Sequence, residues 1–159
     1  MSAPAPGEVP IVRRTHAAFG VSVFVVVHEA QRILLLQRAG TGWMDGYLSL
    51  PAGRHDGGET LHAAAARELR EETGLEADTQ RLRLIHLLHC EAGDHGKEWM
   101  GAFFLAERWR GTPRIAEPEK HDQLIWSAPD ALPANTIPYV RQALEQGLAG
   151  LPYSHYGWT

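Results

Sequence analysis

Three glutamates, Glu68, Glu71 and Glu72, fall within five positions of the stretch "RELREETG". Like charges three and four residues apart on a helix repel and weaken it. At about 100° per residue, Glu72 lies about 40° to one side of Glu68 and Glu71 about 60° to the other, while Leu69, His62 and Thr73 fall between about 100° and 140°. The acids therefore share one face, beside the buried one. Arg67 stands one turn before Glu71 and can pair with it, which still leaves two or three negative charges with too little positive charge to offset them. Two chemistries fit. One is a solvated acidic face, the ordinary fate of nearby glutamates. The other is a seat for a hard divalent cation, which prefers carboxylate oxygens and keeps waters for substrate phosphates to displace.

The elements that must position this face can be read from their punctuation. Thr60 is a plausible N-cap for a helix running to about Thr73, and Gly74 ends it as a C′ residue. Before it, "YLSL" reads as a short strand stopped by Pro51, with "AGRHDGG" as a turn-rich loop. Upstream, "FGVSVFVVV" (19–27) and "RILLLQR" (32–38) form a hairpin around "HEAQ", followed by the glycine-rich loop "AGTGWMDG". Downstream, "RLRLIHLLHC" and "EWMGAFFLAERW" are extended runs joined by "EAGDHGK"; "QLIWS" is a further strand, and the second half of "APDALPANTIPYVRQALEQGLAG" is a helix. Mainly antiparallel strands with few helices predict an α+β fold.

Composition bounds the function. The chain has 159 residues, 44% hydrophobic and 21% charged, with no apolar run long enough to span a membrane. We expect a mobile N-terminal arm over 1–15, one domain over 16–150 and an aromatic tail over 151–159 that docks on the body. The lone Cys90 and the lack of a secretory pattern in "MSAPAPGEVPIVRRT" point to a cytoplasmic location. A net charge of −4 argues against nucleic acid as a partner and against RNA cap removal, both of which call for a basic footprint. A homodimer is left open.

The full spacing is more specific than the acids alone. It runs Gly53, five residues, Glu59, seven residues, then Arg67, Glu68, Leu69, any, Glu71, Glu72, any, Gly74, Leu75. This resembles the Nudix hydrolase signature with every defining position filled, a match expected by chance on the order of one time in ten million. The resemblance implies a Nudix α/β/α sandwich with a mixed, largely antiparallel sheet, and an enzyme that cleaves a nucleoside diphosphate linked to another group. It implies Glu68, Glu71 and Glu72 as Mg²⁺ or Mn²⁺ ligands, with the Gly53 carbonyl as a further one. Arg67 and Glu59 become the pair that orients the carboxylates, and Glu68 the general base, with any carboxylate in reach of the water as its rival.

"ERWRGTPRIAE" (107–117) resembles the MutT branch, which implies Glu117 as a metal ligand; a plain surface acid is the alternative and Glu119 the nearest competitor. "LPANTIP" (132–138) resembles the same branch and implies that Asn135 hydrogen-bonds a nucleotide base; capping the final helix is its other reading. Two departures, a shorter interval from Glu117 to Asn135 and "LPAG" in place of Pro-Gly-Gly, leave the base preference open. Tyr47, beside Trp43, and Phe103, beside Phe104, are stacking candidates, although buried aromatics are usually core. His86, His89, Cys90 and His95 are zinc-type donors, but on a strand residues 86 and 90 face away from 89.

The function implied is a metal-dependent pyrophosphohydrolase that converts a nucleoside triphosphate to monophosphate and pyrophosphate, including damaged nucleotides. The alternatives are a hydrolase of ADP-ribose or another nucleoside-diphosphate sugar, and a noncatalytic nucleotide sensor.

Overall fold

The computed structural model describes residues 15–93 and 96–159. The arm expected over 1–15 therefore lies, up to residue 14, outside the described residues, as does His95. In chain order the elements are β1 (Gly20–Glu29), β2 (Arg32–Arg38), β3 (Leu48–Ser49), β4 (Ala52–Arg54), α1 (Leu61–Thr73), β5 (Glu76–Ala77), β6 (Arg83–Cys90), β7 (Trp99–Ala106), β8 (Trp109–Arg110), β9 (His121–Ser127), α2 (Pro138–Leu148) and β10 (Tyr153–Tyr156).

Five consecutive residues of β1, Val23 to Val27, are buried. Such an unbroken apolar run belongs to a strand covered on both faces. Phe24 and Val26 join one core cluster with Ile33, Leu35, Ile137, Val140 and Leu144, beneath α2. Val23, Val25 and Val27 join the other with Leu34, Ala64, Ala65 and Leu69, beneath α1. Strand alternation thus sorts one sequence into two cores and builds the α/β/α sandwich.

The β1–β2 hairpin turns on Ala30 and Gln31, both at positive φ (49° and 63°), the sense a tight two-residue turn requires. Past the turn the strands part company. Residues 20–27 of β1 pair in parallel with 99–106 of β7, and β4 pairs antiparallel with β1 at residues 22–24; β2 instead pairs antiparallel with β3 and β9. The main sheet runs β10-β6-β7-β1-β2-β3, mixed as expected.

Three segments differ from the sequence reading. Residues 52–54, expected as loop, form β4, because Gly53 and its neighbours find backbone partners on β1. The run 98–109 breaks after Ala106, and Trp109–Arg110 pairs with β5 in a separate two-stranded sheet. The tail docks by becoming β10, parallel to β6. Among the described residues, no helix is long and apolar enough to cross a membrane.

Candidate active site

Local capping fixes α1. Thr60 Oγ1 accepts the Ala63 N–H at 3.1 Å, and Gly74 closes the other end at φ 75° with its N–H on the Arg70 carbonyl. Leu69 is wholly buried, contributing about 1.5–3 kcal/mol and setting which way the glutamates point. Two segments then close on the helix. Ala52 N–H donates to Glu72 Oε2 at 2.9 Å, bringing β4 across the C-terminal turns. From the other side, Arg114 N–H donates to the Thr73 carbonyl and Ala116 N–H to the Glu72 carbonyl, each at 3.0 Å. That second contact carries Glu117 into the electrostatic field of Glu72.

The glutamates are not equivalent. Glu72 is 5% exposed and Glu68 9%, whereas the Glu71 side chain is 45% exposed. The acidic face is not evenly solvated: Glu68 and Glu72 are packed in, because β4 and the 114–117 segment close on α1, while Glu71 stays exposed. Burial pushes the Glu72 pKa up to about 8; the Ala52 N–H opposes this, and the charges of Glu68 and Glu117 add to it. Glu68 is also raised, chiefly by burial and against the pull of Arg67. Its carboxylate lies so close to Gly53 that a Cβ there would overlap it, which explains the glycine by close approach.

Arg67 is the hub. Its Nη2 and Nε donate to the two Glu59 oxygens at 2.6 and 3.2 Å, Nη1 donates to Glu68 at 2.9 Å, and Nη2 also reaches the Arg54 carbonyl at 3.3 Å. The pairing with Glu71 that helix spacing suggests is the longest of its carboxylate contacts, 3.5 Å. Hydrogen bonds from Arg67 hold the Glu59 carboxyl below its ordinary range. A guanidinium fork spanning two carboxylates fixes Glu68 in place.

Glu72, Gly53 and Ala52 line a cleft of about 840 Å³, together with Phe24, Trp43, Trp99 and Tyr139. Tyr139 packs edge-on to Trp99 at 5.2 Å and lies 6.4 Å from Trp43. The loop that presents Trp43 is held by its own side chains: Asp45 accepts the Thr41 and Gly42 N–H groups, while Arg38 donates to the Trp43 carbonyl at 2.9 Å and lies over the ring.

The expected substrate-binding residues are placed differently. Phe103 is fully buried, because its side of β7 faces the α2 core; it does not line the cleft but stacks at 4.4 Å on Phe24, which does. Tyr47 is exposed and does not line the cleft, since β3 begins just after it. Asn135 is exposed and donates to the Gly46 carbonyl at 3.0 Å; it does not cap α2, whose N-cap is Ile137, with no side-chain bond. Among the described residues the zinc-type donors do not converge: His86 bonds to the Leu151 carbonyl and Ser154, and His89 to Glu98. Trp99, Tyr139, Lys120 and His121 were not singled out by sequence, because nothing in their spacing marks them.

The donors present suit a hard dication. Glu117 Oε1 is buried without a hydrogen-bond partner, and Glu72 is buried with the Ala52 N–H on one oxygen. Among the described residues, no three His, Cys, Asp or Glu donors already stand gathered to hold an ion. Lys120 Nζ reaches Glu117 Oε2 at 3.1 Å instead.

The NUDIX domain family matches residues 18–146. The 8-oxo-dGTP diphosphatase of Escherichia coli K12 is 34% identical over 119 residues, covering 72% of this chain and 88% of the relative. An RNA pyrophosphohydrolase of Novosphingobium aromaticivorans is 32% identical over 112 residues, 61% of this chain and 70% of that one. Among solved structures, a MutT NUDIX hydrolase from Burkholderia pseudomallei superposes with a TM-score of 0.74 at 32% identity, over 82% of this chain and 98% of that one. Fold, motif and kinship agree, and the chain belongs to the Nudix hydrolases, in their MutT-type branch.

Proposed function

We propose that this chain hydrolyses a nucleoside triphosphate to monophosphate and pyrophosphate. The observation that carries the reading is the cleft itself: its lining joins the buried Glu72 carboxylate and the Gly53 backbone to Trp43, Trp99 and Tyr139, with room for a nucleotide. The aromatic lining suits a flat base, and the carboxylates suit a phosphate chain bridged by dications.

Glu68, Glu72 and Glu117 would hold Mg²⁺ or Mn²⁺, joined by Glu71 and the Gly53 carbonyl. When bound, the dication neutralises phosphate charge and acidifies a water. Glu71 is exposed enough to swing inward. Glu68, held in place by Arg67, accepts the proton of the attacking water. Arg67 and Glu59 keep Glu68 from rotating away. Trp99, Trp43 and Tyr139 shelter the base, and Asn135 steadies the loop bearing Trp43 through Gly46. The relative named for 8-oxo-dGTP supports a damaged purine nucleotide as the substrate class.

A panel of normal and oxidised nucleoside triphosphates, ADP-ribose and nucleoside-diphosphate sugars, incubated with Mg²⁺, tests this by release of pyrophosphate and monophosphate. Glu68→Gln should keep the fold and lower turnover by at least about a hundredfold. An unaltered rate removes Glu68 from the chemistry. Binding without turnover across the panel would favour a sensor.

A further inference from the structure

Lys120 adjoins the carboxylate cluster and directly precedes His121, which lines the cleft. Its backbone is pinned: Lys120 N–H donates to the Glu117 carbonyl at 2.9 Å, and its own carbonyl accepts the Ala39 N–H at 2.8 Å. The side chain, 51% exposed, is free to re-point. At present Nζ bonds Glu117 Oε2 at 3.1 Å, while the other oxygen of that carboxylate is buried and bare. The ammonium also interacts with Glu72 and Glu68. One monovalent cation thus serves three carboxylates and leaves a buried oxygen without a partner.

A dication settling among Glu68, Glu72 and Glu117 competes with the ammonium for the same oxygens and repels it. Lys120 then leaves Glu117, and its four-carbon stem carries the charge outward from a fixed backbone. The anion next to this cluster in the loaded state is the phosphate chain of the substrate. We propose that Lys120 is a phosphate-contacting residue, held in reserve on Glu117 until a divalent ion releases it. This rests on the pyrophosphohydrolase reading above.

The test uses the full chain with Lys120→Met and Lys120→Arg, and two measurements that need no turnover. Mn²⁺ titration without nucleotide, read by electron paramagnetic resonance, should show about tenfold tighter binding in the methionine variant. Binding of a non-hydrolysable triphosphate analogue at saturating Mg²⁺ should weaken about tenfold, the worth of one charge-assisted hydrogen bond, and recover in the arginine variant. Kinetics should show KM raised with kcat held. Unchanged analogue affinity in the methionine variant overturns the proposal, whatever Mn²⁺ does, and so does weaker Mn²⁺ binding. Lys120→Gln replaces the methionine variant if that fails to fold. If the wild type binds Mn²⁺ and analogue but hydrolyses nothing in the nucleotide panel, the functional reading fails while the Lys120 comparison still stands.

Discussion

Replacing Glu72 with glutamine should stabilise the metal-free protein at alkaline pH and do nothing of the kind in acid. Glu72 is 5% exposed, accepts the Ala52 N–H, and carries a pKa of about 8 against an ordinary 4.5. The folded state therefore keeps a proton that the unfolded chain has already lost. Stability is whole below 4.5 and drains away as pH rises toward 8. At about 1.4 kcal/mol per pH unit, that gap bounds the loss at about 5 kcal/mol; water entry and side-chain relaxation bring the working figure to about 2 kcal/mol. Glutamine keeps an oxygen for the Ala52 N–H and has no charge to desolvate. In a chelator, thermal melts at pH 8.5 should place Glu72→Gln about 4–8 °C above the wild type, and close to it at pH 5. Saturating Mg²⁺ should raise the wild type and leave the variant nearly unmoved, since only a state that binds the ion gains from it. A melting difference constant across pH, or a variant less stable at pH 8.5, would refute the claim that Glu72 is a desolvated anion waiting for a cation.

Other outcomes follow from the same contacts. Gly53→Ala puts a methyl group into the Glu68 carboxylate and forces it off the Arg67 fork; the cost in stability should be about 1–3 kcal/mol, while turnover falls at least about a hundredfold. Denaturant melts and steady-state rates on one preparation decide it, and an active alanine variant would show that Glu68 works from elsewhere. Arg67→Lys keeps the charge but loses the fork spanning Glu59 and Glu68. Metal affinity in a Mn²⁺ titration should drop about tenfold or more, and unchanged affinity would reduce Arg67 to an ordinary ion pair.

How much of the fold was legible depended on how local its causes are. The limits of α1 follow from Thr60 and Gly74, residues that act within a turn of themselves, and both stand where their types predict. The β1–β2 hairpin is equally local. β10 was not legible as a strand because the four residues "YSHY" are too short to show a period and contain no β-branched residue; its place is set by residues 87–90, more than sixty positions earlier in the chain. The break after Ala106 has a similar origin, since β8 pairs with Glu76–Ala77.

The candidate site divides along the same line. Most of its chemical side lies in one short stretch, so the resemblance carried by that stretch marks Glu59, Arg67, Glu68, Glu71 and Glu72, and close packing against Glu68 accounts for Gly53. The aromatic side proposed for base recognition is assembled from Trp43 on a loop, Trp99 at the start of β7 and Tyr139 in the first turn of α2. No interval relates those three, and aromatic type could not separate them from Phe103, which shares the Trp99 face of β7 but lies farther along the strand, inside the core. A residue type reports what a side chain can do; its position along the strand and the docking of distant segments decide whether it reaches the cleft. Substitutions at Trp43, Trp99 and Tyr139 can therefore redirect which base is accepted without disturbing the acids, as expected where cleavage and recognition are built by different parts of the chain.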